Sequence, residues 1–186
     1  VVDAAERMRE LLDSLLSYSR VTSHGMQFVE TDLNRLLQDV LSDMQLTIDE
    51  SNATVVTEPL ISVEADPSQI RQLIQNLLSN SLKYRHPDRP LDIRVTGKKV
   101  DEGTYQITVE DNGIGFDNQY SEQIFEVFKR LHGRAQYAGT GMGLAICRKI
   151  VDRHNGSIHS ESQENHYTRF IVRLPVKHQQ ETLYEF

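Results

Sequence analysis

A run of strict alternation, Tyr105, Ile107 and Val109 against Gln106, Thr108 and Glu110, leads directly into Asp111-Asn112-Gly113-Ile114-Gly115-Phe116. Apolar spacing of two specifies a half-buried strand. A strand that ends in a carboxylate and two glycines can simply turn, because Asp, Asn and Gly tolerate tight or left-handed backbone. It can also set a carboxylate at the floor of a cavity, beside backbone bare enough for a flat ligand to approach. Taken alone, the turn is the commoner use, so the flanking segments decide.

The chain has 186 residues, enough for one full domain with a sizeable core and an appendage. Its 25% charged residues and scattered apolar runs point to a globular protein rather than disorder. No run reaches the length of a membrane span, and no basic-then-apolar leader opens the chain. Val1 is not a natural start, so a fragment is expected, with any upstream segment out of view. The single cysteine, Cys147, cannot form an internal disulfide and fits a reducing, cytoplasmic compartment. A net charge of −7 argues against a general nucleic-acid binder. Yet residues 67–87 and 127–151 contain no Asp or Glu. The first carries Arg71, Lys83, Arg85 and His86; the second carries Lys129, Arg130, His132, Arg134, Arg148 and Lys149. These are the places in an acidic chain where an anionic ligand is tolerable, although chance clustering gives the same pattern.

Residues 2 to about 21 read as one helix. Ala5, Met8, Leu12 and Leu15 form a heptad seam that wants a partner helix, and Leu11 and Leu16 widen it. Ser23, His24 and Gly25 break the pattern. A short strand is expected at 26–30, then a helix capped by Asp32 and striped by Leu33, Leu36, Leu37, Val40, Leu41 and Met44. Strands follow at 53–57 and 61–64. Asp66-Pro67 opens a helix to about residue 85, with the acid at the cap and proline in the first turn. On that helix Ile70, Leu73, Ile74, Leu77, Leu78 and Leu82 face a core, and Gln69, Gln72, Asn76, Asn80 and Lys83 form a polar stripe beside them. The stripe is either solvated or backbone-capping, or it offers an amide oxygen to a hard cation and an ammonium to phosphate. A hairpin at 91–110 delivers Asp111. A long connection with one helical pattern, Ile124, Phe125, Val127, Phe128 and Leu131, then leads to Gly139-Thr140-Gly141-Met142-Gly143. A connection of this length marks a lid or disorder. The glycines run into a helix, where unpaired N–H groups at the positive end of the dipole suit phosphate. The cluster matches neither the dinucleotide fingerprint nor a Walker loop. Strands at 157–162 and 167–174 end the domain at Pro175.

In this order NLLSNSLKY (Asn76 to Tyr84), DNGIGF (Asp111 to Phe116), IFEVFKRLH (Ile124 to His132) and GTGMGLAICRKIV (Gly139 to Val151) resemble the Asn box, first glycine box, Phe box and second glycine box of sensor histidine kinases of two-component systems. The resemblance covers roughly residues 30–175. SLLSYSRV (Ser14 to Val21) is similar to the end of that family's dimerisation helix, and the FKRLH and LAICRKIV wording is similar to the PAS- or phytochrome-linked subset.

The resemblance implies a two-layer α/β sandwich of Bergerat type. Its mixed, mostly antiparallel sheet is covered on one face by helices and preceded by one coiled-coil-like helix. It implies three parts: a partial dimerisation and phosphoacceptor segment at 1–25, a catalytic ATP-binding domain at 26–176 and a tail at 177–186. By the same resemblance Asp111 accepts a hydrogen bond from the adenine amine, Gly113 and Gly115 admit the base and hinge the lid, and Thr168 lies near the base. Asn80 holds Mg²⁺. Lys83 meets phosphate, Tyr84 covers ribose and triphosphate, and Gly139, Gly141 and Gly143 cradle the phosphates. Asn76, Lys83 and Arg130 form the catalytic set, with Lys129, Thr140, Met142 and Leu144 beside the nucleotide.

The implied reaction moves the ATP γ-phosphoryl group to a histidine on a dimerisation helix and then to a response-regulator aspartate. The implied assembly is a homodimer through the N-terminal helix. Two departures stand out. Tyr167 occupies the position where the family carries glycine, and none of the seven histidines is followed by the acid and proline that mark an acceptor helix, so each is expected at a surface or in a loop. Related ATPases activate water with a helical glutamate. Asn76 stands at that position here, which favours kinase over hydrolase. A non-catalytic ATP-switched interaction module is the other alternative.

Overall fold

The computed structural model describes residues 2–23, 27–131, 137 and 139–178. His24, Gly25, Met26, His132, Arg134 and the tail from residue 179 lie outside the described residues. In chain order the elements are α1 (Val2–Ser23), β1 (Val29–Asp32), α2 (Leu33–Asp43), α3 (Gln45–Glu50), β2 (Thr54–Thr57), β3 (Ser62–Ala65), α4 (Pro67–Lys83), β4 (Asp92–Lys99), β5 (Thr104–Asp111), α5 (Gly143–Arg153), β6 (Ser157–Gln163) and β7 (Tyr167–Pro175). Five strands form one sheet in the order β2-β4-β5-β7-β6, in which only the β2–β4 pair is parallel. β1 and β3 pair antiparallel in a separate ribbon. The expected mixed, mostly antiparallel sandwich is the one observed.

Alternation orients the main sheet. Tyr105, Ile107 and Val109 of β5, Ile93 and Val95 of β4, and Phe170, Val172 and Leu174 of β7 all point into the core. There they meet the apolar stripe of α4 and Ile146, Ile150 and Val151 of α5. Each large aliphatic side chain buried this way stabilises the fold by about 1.5–3 kcal/mol. Asp111 is in phase with this face, so the alternation that packs β5 also drives a carboxylate inward.

Capping fixes the helix starts. Asp32 accepts the Arg35 N–H at 2.9 Å. Asp66, fully buried, accepts from the N–H groups of Ser68 and Gln69 at 3.1 and 3.2 Å, and Pro67 occupies the first turn. Two local readings are corrected. The first strand runs over 29–32 rather than 26–30. The apolar spacing at 124–131 gives no α-helix: residues 117–131 contain only 3₁₀ turns, at Asn118–Tyr120 and Gln123–Phe125. Phe128, at φ 63°, breaks any continuation.

The C-terminal half of α1 docks on the domain. Val21 is buried, and its carbonyl accepts from Gln69 Nε2 at 2.9 Å. Gln72 Nε2 donates to Ser17 Oγ at 2.6 Å, and Lys149 Nζ sits 4.0 Å from the centre of the Tyr18 ring. The Met8, Leu11, Leu12, Leu15 and Leu16 stripe nevertheless remains exposed. The end of α1 therefore packs on its own domain, while the seam that wants a partner helix stays uncovered.

His154 corrects part of the expectation that each histidine lies at a surface or in a loop: it sits in the turn that ends α5, yet not at the surface. It is buried; its Nε2 accepts the Asp66 N–H at 3.0 Å, so Nδ1 carries the proton and donates to Ile150 O at 2.7 Å. Burial holds its pKa below the usual histidine value, and His178 shifts the same way for the same reason. A depressed histidine stabilises the fold fully above about pH 6.5, its unfolded value, and that contribution fades as pH falls toward the folded value. Thermal unfolding from pH 7.5 to 5 is expected to show falling stability, with a shallower slope in the His154→Gln, His178→Gln double variant. An unchanged slope would exclude these two groups as the cause.

Candidate nucleotide site

The inner face of the main sheet turns polar at one end. Asp111 pairs across the ladder with Thr168, and Thr168 with Ser162, so three buried polar residues form the last row of a mostly apolar surface. The Asp111 carboxylate is held on both sides: Oδ1 accepts the Gly113 N–H at 2.9 Å, and Oδ2 accepts the Ser81 hydroxyl at 2.7 Å. Burial raises its pKa above the ordinary carboxylate value, and the bonds from Ser81 and Gly113 pull partly against that rise.

This row opens into a cavity of about 290 Å³ between α4, α5, the sheet end and the connection after β5. Its lining has a gradient. Asp111, Thr168 and Phe170 line it from the end of the sheet, with Phe116 bonded to Ser162 beside them, and Asn76, Asn80 and Lys83 line it from α4, with Lys83, Lys129 and Arg130 against the glycine cluster. Asp111 is the one acid among the described lining residues, facing three cations. At the cationic end α5 begins after Met142 with no side-chain cap, so its first amides carry the positive end of the helix dipole without a side-chain acceptor. Asn76 Nδ2 donates to Gly143 O at 3.2 Å, tying α4 to that helix start.

The glycine-rich connection is drawn onto these groups. The Arg130 guanidinium donates to the carbonyls of Tyr137 and Gly139, and its Nε is buried without a partner among the described residues. The Tyr84 and Tyr137 rings lie 5.0 Å apart, and Lys83 Nζ is 4.7 Å from the Tyr84 ring centre. A Cβ on Gly139 would fall 2.8 Å from Lys83 Nζ. Thr140 Oγ1 lies 3.1 Å from Ser14 Oγ of α1. Arg130 thus clasps backbone rather than projecting freely into the cavity.

Of the sequence-predicted residues, Asn76, Asn80, Lys83, Tyr84, Asp111, Gly115, Lys129, Arg130, Gly139, Thr140, Gly141, Gly143, Leu144 and Thr168 all line this cavity. Two do not. Met142 is fully buried in the core, because one residue of the glycine cluster must anchor it there. Gly113 lies just behind the wall, where a Cβ would strike the Tyr84 carbonyl at 2.4 Å and Asp111 Oδ1 at 2.7 Å. Both early glycines answer to the protein's own backbone: at Gly115, with φ 59°, a Cβ would meet the Gln163 carbonyl at 2.2 Å. Tyr167 does not displace Thr168, because its ring lies 5.3 Å from the Arg169 guanidinium, with the hydroxyl of Thr168 one residue on in the inward phase. Ser81, Ser162 and Arg89 escaped the sequence reading. Arg89 donates to the carbonyls of Asn112 and Gly113 at 2.8 and 2.7 Å. The signal for Ser81 was a lone hydroxyl on the apolar face of α4.

The cavity suits a ligand with a flat, amine-bearing head and an anionic tail. Among the described residues no cluster of three or more His, Cys, Asp or Glu could hold a metal ion. A metal fitting this donor set is one held largely by a ligand's own oxygens and by water, with an amide oxygen such as that of Asn80. Those are the habits of Mg²⁺. No described helix is long and apolar enough to cross a membrane.

Residues 65–178 match the family model described as histidine kinase-, DNA gyrase B-, and HSP90-like ATPase. The chain is 39% identical over 175 residues to cyanobacterial phytochrome A from Nostoc sp. (strain PCC 7120), spanning 94% of this chain and 23% of that protein. It therefore covers about a quarter of the length of such curated relatives. Among solved structures, the catalytic domain of histidine kinase ThkA superposes with a TM-score of 0.70 at 29% identity, over 82% of this chain and 100% of that one. ThkA in complex with response regulator protein TrrA matches at 0.74 and 26%, over 94% and 49%.

Proposed function

This chain belongs to the histidine kinase-, DNA gyrase B-, and HSP90-like ATPase family, and we propose that it is the ATP-binding catalytic part of a sensor histidine kinase whose γ-phosphoryl acceptor is a histidine on a dimerisation helix. The observation that carries this reading is the cavity's gradient, one buried carboxylate at the apolar end and three cations beside an uncapped helix start at the other. Bound ATP would supply the transferable phosphoryl group, and Asn80 would offer an amide oxygen to Mg²⁺, which would supply neutralisation of the phosphate charge.

The protein's own work is positioning and charge stabilisation. Asp111 offers only acceptors when ionised, so it selects the amine of adenine against the carbonyl of guanine. Thr168 completes the polar row, while Phe116, Ile124, Phe170 and Leu144 exclude water. Lys83, Lys129 and the amides at Gly139, Thr140, Gly141 and Gly143 take phosphate charge, with Tyr84 closing over the ribose side. Arg130 exchanges its backbone carbonyls for the γ-phosphoryl region, where charge redistributes during transfer. Asn76 fixes the start of α5. With Asn rather than Glu at that position there is no carboxylate to activate water, which favours transfer over hydrolysis.

The exposed leucine stripe of α1 is the seam of a homodimeric bundle, and residues 1–25, 26–176 and 177–186 divide into dimerisation segment, catalytic domain and tail. The phosphoryl group passes on to a response-regulator receiver domain, as the ThkA–TrrA complex suggests by likeness. The domain works in the cytoplasm, in keeping with a single cysteine, Cys147, that is buried and has no disulfide partner in the chain.

The longer protein, carrying the acceptor helix, is expected to incorporate acid-labile label from γ-labelled ATP and to lose it to a receiver domain. Asn80→Asp is expected to abolish incorporation. Release of free phosphate with no protein label would replace this reading with that of an ATPase, and nucleotide binding with neither outcome would leave an interaction module.

A further inference from the structure

Ser81 is an anomaly on α4. It is 1% exposed and stands on the buried face with Leu77, Leu78 and Leu82, where a hydroxyl needs a partner. A helical serine ordinarily finds one in the carbonyl four residues back. Leu77 O is 3.4 Å away, but Asp111 Oδ2 is at 2.7 Å, so the single hydroxyl proton belongs to the carboxylate. We propose that Ser81 is a specificity-positioning residue: its hydroxyl, with the Gly113 N–H on the opposite oxygen, locks the Asp111 carboxylate so that its remaining lone pairs face the cavity as acceptors. The inference rests on the nucleotide reading of that cavity.

Two consequences separate this role from mere packing. A protonated Asp111 would donate to Ser81 instead and blunt the acceptor character that rejects guanine, so the Ser81 bond sustains base discrimination as well as affinity. Second, the bond opposes the burial that pushes the carboxyl toward its neutral form. The other charges around Asp111 are Glu110, its outward neighbour on β5, paired with Arg169 of β7, and Lys83, Lys129 and Arg130 on the cavity wall. β6 and β7 offer it only the neutral Ser162 and Thr168. None of these donates to the carboxylate.

The test uses the 186-residue chain with Ser81→Ala, which removes the hydroxyl, and Ser81→Cys, which still fills the site but gives only a weak donor. Affinities for ADP and GDP with Mg²⁺ are measured by calorimetry, and the Asp111 carboxyl is titrated by carbon NMR. Both variants are expected to bind ADP about 10-fold more weakly, in line with the loss of a charge-assisted bond. Both should narrow the ADP-to-GDP ratio, with the Asp111 titration moved to higher pH. A cysteine variant that matches the parent in affinity and titration would overturn the proposal, reducing Ser81 to a space-filling residue. A parent chain that binds neither nucleotide, with its carboxyl titration still moved by the substitutions, would sink the nucleotide reading and leave only the hydroxyl–carboxylate lock.

Discussion

Replacing Asp111 by Asn is expected to weaken adenine-nucleotide binding at least about 100-fold while leaving the fold as stable as before, or more so. The two halves of this result have one cause. The parent carboxylate is buried at the head of the cavity, with one bond from Ser81 and one from Gly113. Asparagine keeps the oxygen for one of them, and the serine hydroxyl can turn to accept from the new amide. The amide, however, presents a donor where an exocyclic amine also presents donors, so attraction becomes repulsion. The stability half follows from linkage. A carboxyl whose folded pKa is raised adds stability below its unfolded value, near pH 4, and loses that contribution as pH rises through the folded value. At neutral pH the ionised group is a cost that the amide removes. Thermal unfolding at pH 7 with a parallel binding titration checks both halves, and a variant that loses binding only because it unfolds would contradict the account.

Gly115→Ala is expected to act on the fold itself, lowering stability by about 3 kcal/mol or more. Two effects add. The residue sits at φ 59°, a region that costs an L side chain free energy, and the new Cβ would lie 2.2 Å from the Gln163 carbonyl. That carbonyl ends β6, so relief requires moving the β6–β7 turn, which carries Thr168 into the cavity wall. For a chain of this size the loss amounts to a fall of about 6–12 °C in the unfolding midpoint. A midpoint within about 2 °C of the parent, by the same conversion, would show that the β6–β7 turn yields freely.

These two residues also mark how much was legible beforehand. The phase of β5 was written in its alternation, and that phase alone carries Asp111 inward. The caps at Asp32 and Asp66, the proline after Asp66 and the glycines before α5 announced their helices because capping and turn chemistry act within a few residues. The resemblance, through its four boxes and the separate position at Thr168, then brought together residues from 76 to 168, and most of them do share one cavity.

The failures were non-local or conformational. Ile124, Phe125, Val127, Phe128 and Leu131 have helical spacing, yet Phe128 takes a left-handed conformation and the segment breaks into 3₁₀ turns. Apolar periodicity cannot register a single positive φ. His154 looked like a loop residue after a helix; its burial depends on the Asp66 backbone, 88 residues away in sequence. Gly113 looked like a residue making way for a ligand, whereas it lies behind the wall against the Tyr84 carbonyl; Gly115 does line the cavity, with the Gln163 carbonyl also crowding it. Met142 was grouped with its glycine neighbours, although its side chain belongs to the core.

The measurement that bears most directly on all of this is a calorimetric titration of the 186-residue chain with ADP and then GDP, each with Mg²⁺. The account predicts saturable one-to-one binding of ADP, GDP weaker by at least about 100-fold, and the preference erased in Asp111→Asn. Equal affinity for the two bases in the parent chain, or ADP binding untouched by the substitution, would contradict the claim that one buried carboxylate selects the ligand.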